Sequence, residues 1–392
     1  MLSLVACSAV FLATCNDAPD VSGGFVQTSS QTGATISTDL DRLPLTSRDG
    51  WKIETVVSGV QVPWTIAWDH EGRMIFTERP GRVRVFENGK LRDEPLLTLP
   101  DVAARSESGL MGMCLHPSYR ENRLLYLAYS YRDNRDQFVK VVRYKNDGAR
   151  LTVEKTIIDK IPAAPNHAGT RVAFGPDGKL YITTGDATDW HLAQKMDSIN
   201  GKTLRLNDDG TIPRDNPFVG KPNTREEIWS YGHRNAQGLA WQPGTNAMFQ
   251  TEHGPSGFEG LGGGACELNM VERGKNYGWP EIYGTRTRQG MVAPLVEYSP
   301  AAAPGSGMFY SADKLPMFKN NYFFGALRPG ILVRVVLDGS KVVKQERVIA
   351  DLGRIREVAQ GPDGLLYFST SNRDGRGRAA DSDDRVMRIV PQ

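Results

Sequence analysis

The sequence predicts an all-β protein, and three observations support this fold class. An apolar strand, a turn containing Pro, Asp or Gly, and a second strand rich in Tyr, Phe, Ile or Thr recur along the chain. No long segment has the i, i+3, i+4, i+7 spacing of an amphipathic helix. The chain also lacks the GxGxxG and GxxxxGKS motifs of α/β nucleotide-binding folds. The copies of the strand pattern are IAWDHEGRMIFTE from Ile66, MCLHPSYRENRLLYLAYS from Met113, VAFGPDGKLYITTGD from Val172, LAWQPGTNAMFQTE from Leu239 and VAQGPDGLLYFSTSN from Val358.

The spacing of these copies indicates six repeats. The interval between Leu239 and Val358 is about twice the usual one, and YFFGALRPGILVRVVLD from Tyr322 supplies strands for a sixth, degenerate copy. Six repeats of several short strands predict a six-bladed β-propeller with four-stranded antiparallel blades. WKIETVVSG from Trp51 and DRVMRIVPQ from Asp384 both have strand patterns. The first strand is therefore expected to complete the last blade and close the ring.

The predicted domain organisation has three parts. Residues 1–15, MLSLVACSAVFLATC, are apolar and rich in small residues, as in a secretory leader, although no Lys or Arg precedes Arg42. Residues 16–50 are rich in Ser, Thr, Gly and Asp and are predicted to form a flexible segment. Residues 51–392 form a single propeller domain. The protein is thus expected to be periplasmic or otherwise exported, with a lipid anchor at Cys15 as an open alternative and no other membrane contact.

Charge and cysteine content exclude several classes of function. The chain has 47 Lys and Arg against 45 Asp and Glu, which provides no extended basic surface for nucleic acid. Of the four cysteines, Cys7 and Cys15 lie in the leader, and Cys114 and Cys266 remain. No CxxC pair is present, so a structural zinc site is not expected.

The candidate functional residues are a histidine and a group of arginines. His167 directly precedes a repeat strand, and in a propeller such positions gather at one mouth of the central channel, where a neutral imidazole can act as a general base. A turn histidine without catalytic function is the alternative. Several arginines at strand starts would repel one another unless they meet anionic groups, so their convergence predicts a polycarboxylate or phosphate ligand. These arginines are Arg234, Arg328, Arg354 and Arg356.

Seven segments resemble the soluble quinoprotein glucose and sorbosone dehydrogenases, which are PQQ-dependent aldose sugar dehydrogenases. The similarity extends from Val56 to Val390, and its most specific part is the ordered set YGHRN, EHGP and GKNYGWP. The other segments are PWTIAWDHEGRMIFTERPGRVRVFENGK, GLMGMCLHP, NHAGTRVAFGPDGKLY and GKTLRLNDDGTIPRDNPF. The resemblance implies a six-bladed propeller, in agreement with the repeat count.

The resemblance also implies a reaction and roles for individual residues. Hydride passes from the sugar C1 to C5 of the quinone, the product is a lactone, and electrons go on to an external quinone, cytochrome or dye. His167 matches the general base. Arg234 and Asn235 match the pair that contacts the quinone oxygens, with Arg234 stabilising the developing charge. The carbonyls of Gly254 and Pro255 match the ligands of a calcium ion that acts as a Lewis acid. Residues matching the other PQQ-binding positions are Glu107, Arg328, Arg354 and Arg356.

The sequence departs from the family pattern at several of these positions. Arg328 stands where Lys is common, and Glu107 stands where Gln is usual. Asn166 stands where Asp often precedes the base, so the group that orients His167 is open. Cys266 replaces the Asp of an Asp-Glu pair that holds additional calcium in some members, so the resemblance does not imply such sites in this chain.

Three functions remain to be distinguished, and the sugar and the oligomeric state, monomer or homodimer, stay open. The first is the PQQ- and calcium-dependent aldose dehydrogenase. The second is a non-catalytic propeller that binds a glycan or a protein. The third is a calcium-dependent lactonase, which needs several convergent carboxylates that the sequence does not supply.

Overall fold

The blades of the propeller are formed by short antiparallel strands, as the repeats predict. A computed structural model describes residues 34–257 and 259–392, and the predicted leader, with Cys15, lies outside them. Blade 1 consists of Pro63–Trp68, Met74–Glu78, Arg82–Glu87 and Lys90–Leu91, with Leu97–Thr98 paired to its third strand. Blade 2 consists of Leu110–Leu115, Leu124–Asp133, Asp136–Asn146 and Leu151–Ala163, and blade 3 of Val172–Phe174, Leu180–Thr183, Lys202–Leu206 and Ile228–Tyr231.

The second half of the described chain repeats this arrangement. Blade 4 consists of Ala236–Trp241, Met248–Glu252, Cys266–Val271 and Val296–Tyr298. Blade 5 consists of Pro304–Phe309, Tyr322–Ala326, Ile331–Asp338 and Lys341–Ile349, and includes the degenerate repeat. Blade 6 consists of Ile355–Gln360, Leu366–Thr370 and Val386–Pro391 together with Trp51–Val57. The first strands of neighbouring blades contact one another in a closed ring, which confirms the six-bladed propeller.

Closure of the ring occurs as predicted from the two ends of the domain. Trp51–Val57 pairs antiparallel with Val386–Pro391, in a register that places Trp51 opposite Pro391 and Ile53 opposite Ile389. The N-terminal strand thereby pairs the outer side of Val386–Pro391, the last strand of the chain.

The part of the predicted flexible segment that is described, residues 34–50, is instead paired with the blades. Ile36–Thr38 adds a parallel strand to the outer edge of blade 4, opposite Val296–Tyr298, and Leu45 forms a bridge with Arg347. Backbone hydrogen bonds hold this strand to the sheet edge, so it forms without the alternation of apolar residues that makes a strand recognisable in sequence. The buried side chain of Leu40 anchors this N-terminal segment.

Helices are few and short among the described residues. They are the α-helix Tyr119–Asn122 and the 3₁₀ helices Leu40–Arg42, Trp190–Gln194 and Pro316–Phe318. None has the length and apolar character that a bilayer span requires.

The hydrophobic core is divided among the contacts between blades. Six clusters occur in the described residues, and each contains buried side chains from two neighbouring blades. Aromatic rings bridge the blades, as for Trp68 and Tyr367 at 4.8 Å and Tyr181 and Trp241 at 5.2 Å between centroids. Glycines at the first strands permit the blades to approach closely. A Cβ at Gly112 would lie 2.5 Å from the Thr170 carbonyl oxygen.

A buried ion pair spans the central channel. Arg171 precedes the first strand of blade 3 and Glu357 lies in the first strand of blade 6, so the two come from opposite sides of the ring. Nη2 of Arg171 lies 2.8 Å from Oε2 of Glu357, and Nη1 donates to Thr65 Oγ1 at 3.1 Å. The guanidinium also stacks on Trp64, 4.5 Å from the ring centroid. The pair therefore connects opposite sides of the ring within the channel.

Candidate functional site

A cavity of about 860 Å³ opens where the chain enters the first strands of the blades. Most of its wall comes from two sets of loops, those that precede the first strand of a blade and those that follow the second. Cys266 and Trp279 are added from the third strand of blade 4 and the loop after it. Six of the residues predicted from sequence line it together: Glu107, His167, Arg234, Gly254, Arg328 and Arg354. The expected gathering of pre-strand residues at one mouth of the channel is therefore present.

The other three predicted residues lie at the edge of this cavity or behind its wall. Arg356 lines a small adjoining cavity that shares Glu107 and Arg354 with the large one. Asn235 is fully buried, and it links two loops by accepting a hydrogen bond from the Gly169 N–H at 3.1 Å and donating to Glu107 Oε2 at 3.0 Å. Pro255 is buried directly after Gly254. The cavity volume suits a cofactor-sized or drug-sized ligand.

His167 is oriented by a carboxylate that the sequence analysis did not identify. Its Nδ1 lies 2.7 Å from Oδ1 of Asp186, and Asp186 is 1% exposed. Asp186 is itself held by Trp279 Nε1, which donates to Oδ2 at 2.9 Å, and by the Thr188 N–H, which donates to Oδ1 at 2.8 Å. A carboxylate at Nδ1 places the ring proton there and leaves Nε2 as the acceptor. His167 thus has the tautomer of a general base.

Asn166 does not perform this orienting role. Its Oδ1 accepts hydrogen bonds from Ser106 Oγ at 2.6 Å and from Arg376 Nη2 at 3.0 Å, away from the imidazole. Asp186 follows the second strand of the same blade, in VAFGPDGKLYITTGD, and its place after a strand that ends beside His167 is the signal that could have identified it.

Arg234 lies in the cavity wall with an unused donor. Its side chain is 2% exposed, Nη1 donates to the His253 carbonyl oxygen at 3.1 Å, and the guanidinium packs over Trp279 at 5.4 Å. Nη2 donates to Ser256 Oγ and pairs with Glu259. Burial acts to raise the pKa of Glu259, but the hydrogen bond and charge of Arg234 lower it overall. Nε of Arg234 is buried and has no acceptor in the described part of the chain.

The arginines of the fifth and sixth blades differ in what they already contact. Arg354 Nε donates to Asp374 Oδ2 at 2.7 Å, and Arg356 Nη2 lies 3.7 Å from the same oxygen. Burial lowers the pKa of Arg356 to about 10, so it is still a cation at neutral pH. Arg328 is exposed to the cavity, and its guanidinium has no ion-pair partner among residues 34–257 and 259–392. The arginines thus converge as expected, with unpaired positive charge left over for an anionic ligand.

Glu107 is ionised at neutral pH. Its Oε2 accepts hydrogen bonds from the His167 N–H at 3.2 Å and from Asn235, and its Oε1 lies 2.9 Å from Arg376 Nη1. Burial acts to raise the pKa of Glu107, but interactions with His253, His167 and Arg376 and the hydrogen bond from the His167 N–H lower it overall. The site therefore contains a carboxylate where the family resemblance implied the neutral amide of Gln.

The two remaining histidines of the YGHRN and EHGP motifs have structural contacts. His233 is buried between Glu252 Oε2, 2.9 Å from Nδ1, and Ser230 Oγ, 2.8 Å from Nε2, and it stacks on Tyr277. His253 Nε2 lies 2.9 Å from the Pro304 carbonyl oxygen, and burial lowers the pKa of His253 to about 3. His253 lines the cavity as His167 does, but its Nε2 already faces a backbone carbonyl oxygen, and the ring of His233 is fully buried.

The backbone at Gly254 and Pro255 fits a calcium ion only in part. The Gly254 carbonyl accepts no hydrogen bond from the described residues, whereas the Pro255 carbonyl accepts one from the Gly264 N–H at 3.0 Å. A carbonyl oxygen has two lone pairs, so both can serve as neutral ligands of a hard cation when the other ligands come from the bound cofactor. In the described parts of the chain no group of three or more His, Cys, Asp or Glu is placed to hold a metal.

Cys266 and Glu267, at the departure from the Asp-Glu pair, are also buried. Cys266 Sγ accepts a hydrogen bond from the Gly254 N–H at 3.4 Å, and the Cys266 side chain lines the cavity. Burial and the cross-strand neighbour Glu252 raise the pKa of Glu267.

Comparisons with known proteins identify the family. The family described as Glucose / Sorbosone dehydrogenase matches residues 60–379. The aldose sugar dehydrogenase YliI of Escherichia coli is 34% identical over 344 residues, which cover 82% of this chain and 91% of that protein.

Solved structures agree with the sequence comparison. A putative oxidoreductase (glucose dehydrogenase) from Thermus thermophilus is 40% identical, with a TM-score of 0.81 over 87% of this chain and all of that one. The PQQ-bound aldose sugar dehydrogenase of Streptomyces coelicolor is 30% identical, with a TM-score of 0.74 over 89% of this chain and all of that one. The chain belongs to the glucose/sorbosone dehydrogenase family.

Proposed function

We propose that this protein is a PQQ- and calcium-dependent dehydrogenase that oxidises the C1 hydroxyl of aldose sugars to lactones. The observation that carries the proposal is the placement of His167, oriented by Asp186, in a large cavity whose wall also holds Arg234 and the exposed guanidinium of Arg328. Family membership and the PQQ-bound relative support the same reaction class.

The residues of the cavity have separate tasks in this reaction. PQQ, when bound, supplies the two-electron acceptor that takes the C1 hydride. His167 Nε2 takes the proton of the C1 hydroxyl, and Asp186 stabilises the imidazolium that forms. Arg234 donates to developing negative charge from a buried position, where hydrogen bonds to charged groups are strong.

Binding of the cofactor is assigned to the remaining cations and carbonyls. Arg328, Arg354 and Arg356 would hold its carboxylates, and Asn235, together with Arg234, would fix its quinone end. The Gly254 and Pro255 carbonyls would hold the calcium ion, which polarises carbonyl oxygens as a Lewis acid. We further propose that an external quinone, cytochrome or dye accepts the electrons.

The test is reconstitution of purified apoprotein. Addition of PQQ with Ca²⁺ is expected to produce dye-linked oxidation of aldoses that saturates at about one PQQ per chain, and chelation of Ca²⁺ is expected to lower it. A non-catalytic glycan- or protein-binding propeller would show neither bound quinone absorbance nor sugar oxidation under the same conditions, and that result would exclude the proposal.

Replacing Asp186 with Asn is expected to reduce kcat about 100-fold or more while PQQ affinity stays unchanged. The amide can donate to Nδ1, which moves the ring proton to Nε2 and removes the acceptor that takes the hydroxyl proton. Dye-linked kinetics together with a PQQ titration measure the two quantities separately.

Thr188→Ala is the matched control. Thr188 contacts Asp186 through its backbone N–H, so the substitution keeps that hydrogen bond and is expected to change kcat less than about threefold. Wild-type kcat in Asp186→Asn would contradict the role of Asp186 as the positioning residue.

A further inference from the structure

A largely buried carboxylate in the wall of the cavity opposes the binding of an anionic ligand unless its charge is neutralised. The Glu107 side chain is 11% exposed and lines both the large cavity and the adjoining one. Its two oxygens point in different directions. Oε2 holds the backbone of His167 and the side chain of Asn235, whereas Oε1 faces Arg376.

Arg376 comes from the loop between the second and third strands of blade 6, about 270 residues further along the chain. Besides Glu107, its guanidinium contacts two further groups through Nη2, Ser106 Oγ at 3.0 Å and Asn166 Oδ1 at 3.0 Å. Arg376 therefore connects the sixth blade with the loop that carries Glu107 and with Asn166, the residue before His167. The turn that presents it is fixed by the Arg376 N–H, which donates to Asp374 Oδ1 at 2.9 Å.

Within the described residues, Arg376 forms an ion pair with Glu107 and with no other carboxylate. Its side chain is 49% exposed at the cavity. The carboxylate of Glu107 and an anionic ligand in the same cavity repel each other, and an opposite charge in hydrogen-bond contact with Glu107 reduces that repulsion. Glu107 and Arg376 thus form a unit with no net charge.

We propose that Arg376 is a positioning residue that neutralises Glu107, so that the cavity of this protein accepts a polyanionic quinone although it carries Glu where the family resemblance implied Gln. This inference rests on the proposed function, because it concerns the ligand of the same site. According to this inference, Arg376 acts by neutralising the charge of Glu107, and not only through the hydrogen bonds of its guanidinium.

The hydrogen-bond geometry predicts that a substitution of Arg376 is compensated by a substitution of Glu107. In Glu107→Gln, the amide oxygen can still accept from the His167 N–H and Asn235, but the amide NH₂ then faces the donors of Arg376. In Arg376→Gln, the carboxylate is left unpaired beside the ligand. In the double variant, two amides can pair as donor and acceptor without net charge.

A double-variant cycle tests the inference on ligand affinity rather than on turnover. PQQ, with Ca²⁺, is titrated into the apoproteins of wild type, Glu107→Gln, Arg376→Gln and the double variant. Quenching of the fluorescence of Trp190 and Trp279, which line the cavity, serves as the signal. We expect Arg376→Gln to weaken PQQ affinity about tenfold or more, and the added Glu107→Gln to restore affinity to within about threefold of wild type.

Two further variants serve as controls. Arg376→Lys keeps the positive charge but not the fork of donors, and it is expected to bind PQQ better than Arg376→Gln. Arg378→Gln removes a neighbouring exposed arginine of the same loop and is expected to leave PQQ affinity unchanged. Thermal unfolding of each variant reports whether the loop contacts affect the fold.

Each result either supports or overturns the inference. Wild-type affinity in Arg376→Gln would overturn it, and so would equal weakening in Arg376→Gln and the double variant, since the guanidinium would then act through its own contacts. If wild-type apoprotein bound no PQQ, the proposed function would fail, and this inference with it. If wild type binds PQQ and the cycle shows no rescue, only this inference fails.

Discussion

Replacing His167 with Ala is expected to lower kcat for aldose oxidation by about 10²- to 10⁴-fold. His167 is the imidazole that both reaches the cavity and is oriented by a buried carboxylate, so the hydroxyl proton loses its acceptor when the ring is removed. PQQ affinity is expected to change little, because the cations assigned to the cofactor are elsewhere in the wall. Dye-linked initial rates at saturating sugar, together with a PQQ titration, give both numbers.

His191→Ala is the comparison for this prediction. His191 is exposed and follows Trp190 in the 3₁₀ helix Trp190–Gln194, so its loss removes an imidazole near the site without removing the assigned base. The kcat of the His191→Ala variant is expected to lie within about threefold of the wild-type value. Undiminished turnover in His167→Ala would refute the assignment of the base.

Replacing Arg171 with Met is expected to reduce the free energy of unfolding by about 3–5 kcal/mol. The substitution leaves the Glu357 carboxylate buried in the channel without its partner, and it also removes the hydrogen bond to Thr65. Urea unfolding followed by tryptophan fluorescence measures the change. Because both residues belong to the channel rather than to the cavity, the loss is expected in the apoprotein as well.

A surface pair provides the matched control for Arg171→Met. Arg388 and Glu54 also join two strands of the propeller, but each side chain is 35% exposed, so Arg388→Met is expected to cost less than about 1 kcal/mol. In the double variant Arg171→Met/Glu357→Leu, the uncompensated charge is gone, and much of the lost stability is expected to return. Equal losses for Arg171→Met and Arg388→Met would contradict the description of the channel.

The fold could be predicted from sequence because five of the six blades begin with the same local pattern. A Pro-Asp-Gly or similar turn between two apolar strands, as in VAFGPDGKLYITT, indicates a hairpin by itself, and the spacing of the five hairpins leaves room for the sixth blade. The parallel strand Ile36–Thr38 was not predicted, since it pairs through the backbone with a strand about 260 residues away. Local patterns contain no information on such a partner.

The sequence predicted that several of the candidate residues lie together, and six of them line the cavity, but it did not predict how their side chains pair. The position of His167 before a first strand places it at the channel mouth in any propeller. Its partner Asp186, the Glu107–Arg376 pair and the Glu259–Arg234 pair depend on distances between loops of different length. Asp186 and Arg376 lie in polar loops that look like solvated surface in sequence, and only the folded chain shows what they contact.

The most direct test of the proposed function is to mix PQQ- and Ca²⁺-loaded protein with an aldose, in the absence of oxygen and of any electron acceptor. The absorbance of the bound cofactor is followed over time. We expect the spectrum of oxidised PQQ to convert to that of reduced PQQ within a single turnover, with one lactone formed per bound cofactor, and His167→Ala to slow this conversion about 10²-fold or more. An unchanged spectrum with every aldose tried, in protein that has bound PQQ, would contradict the proposed function.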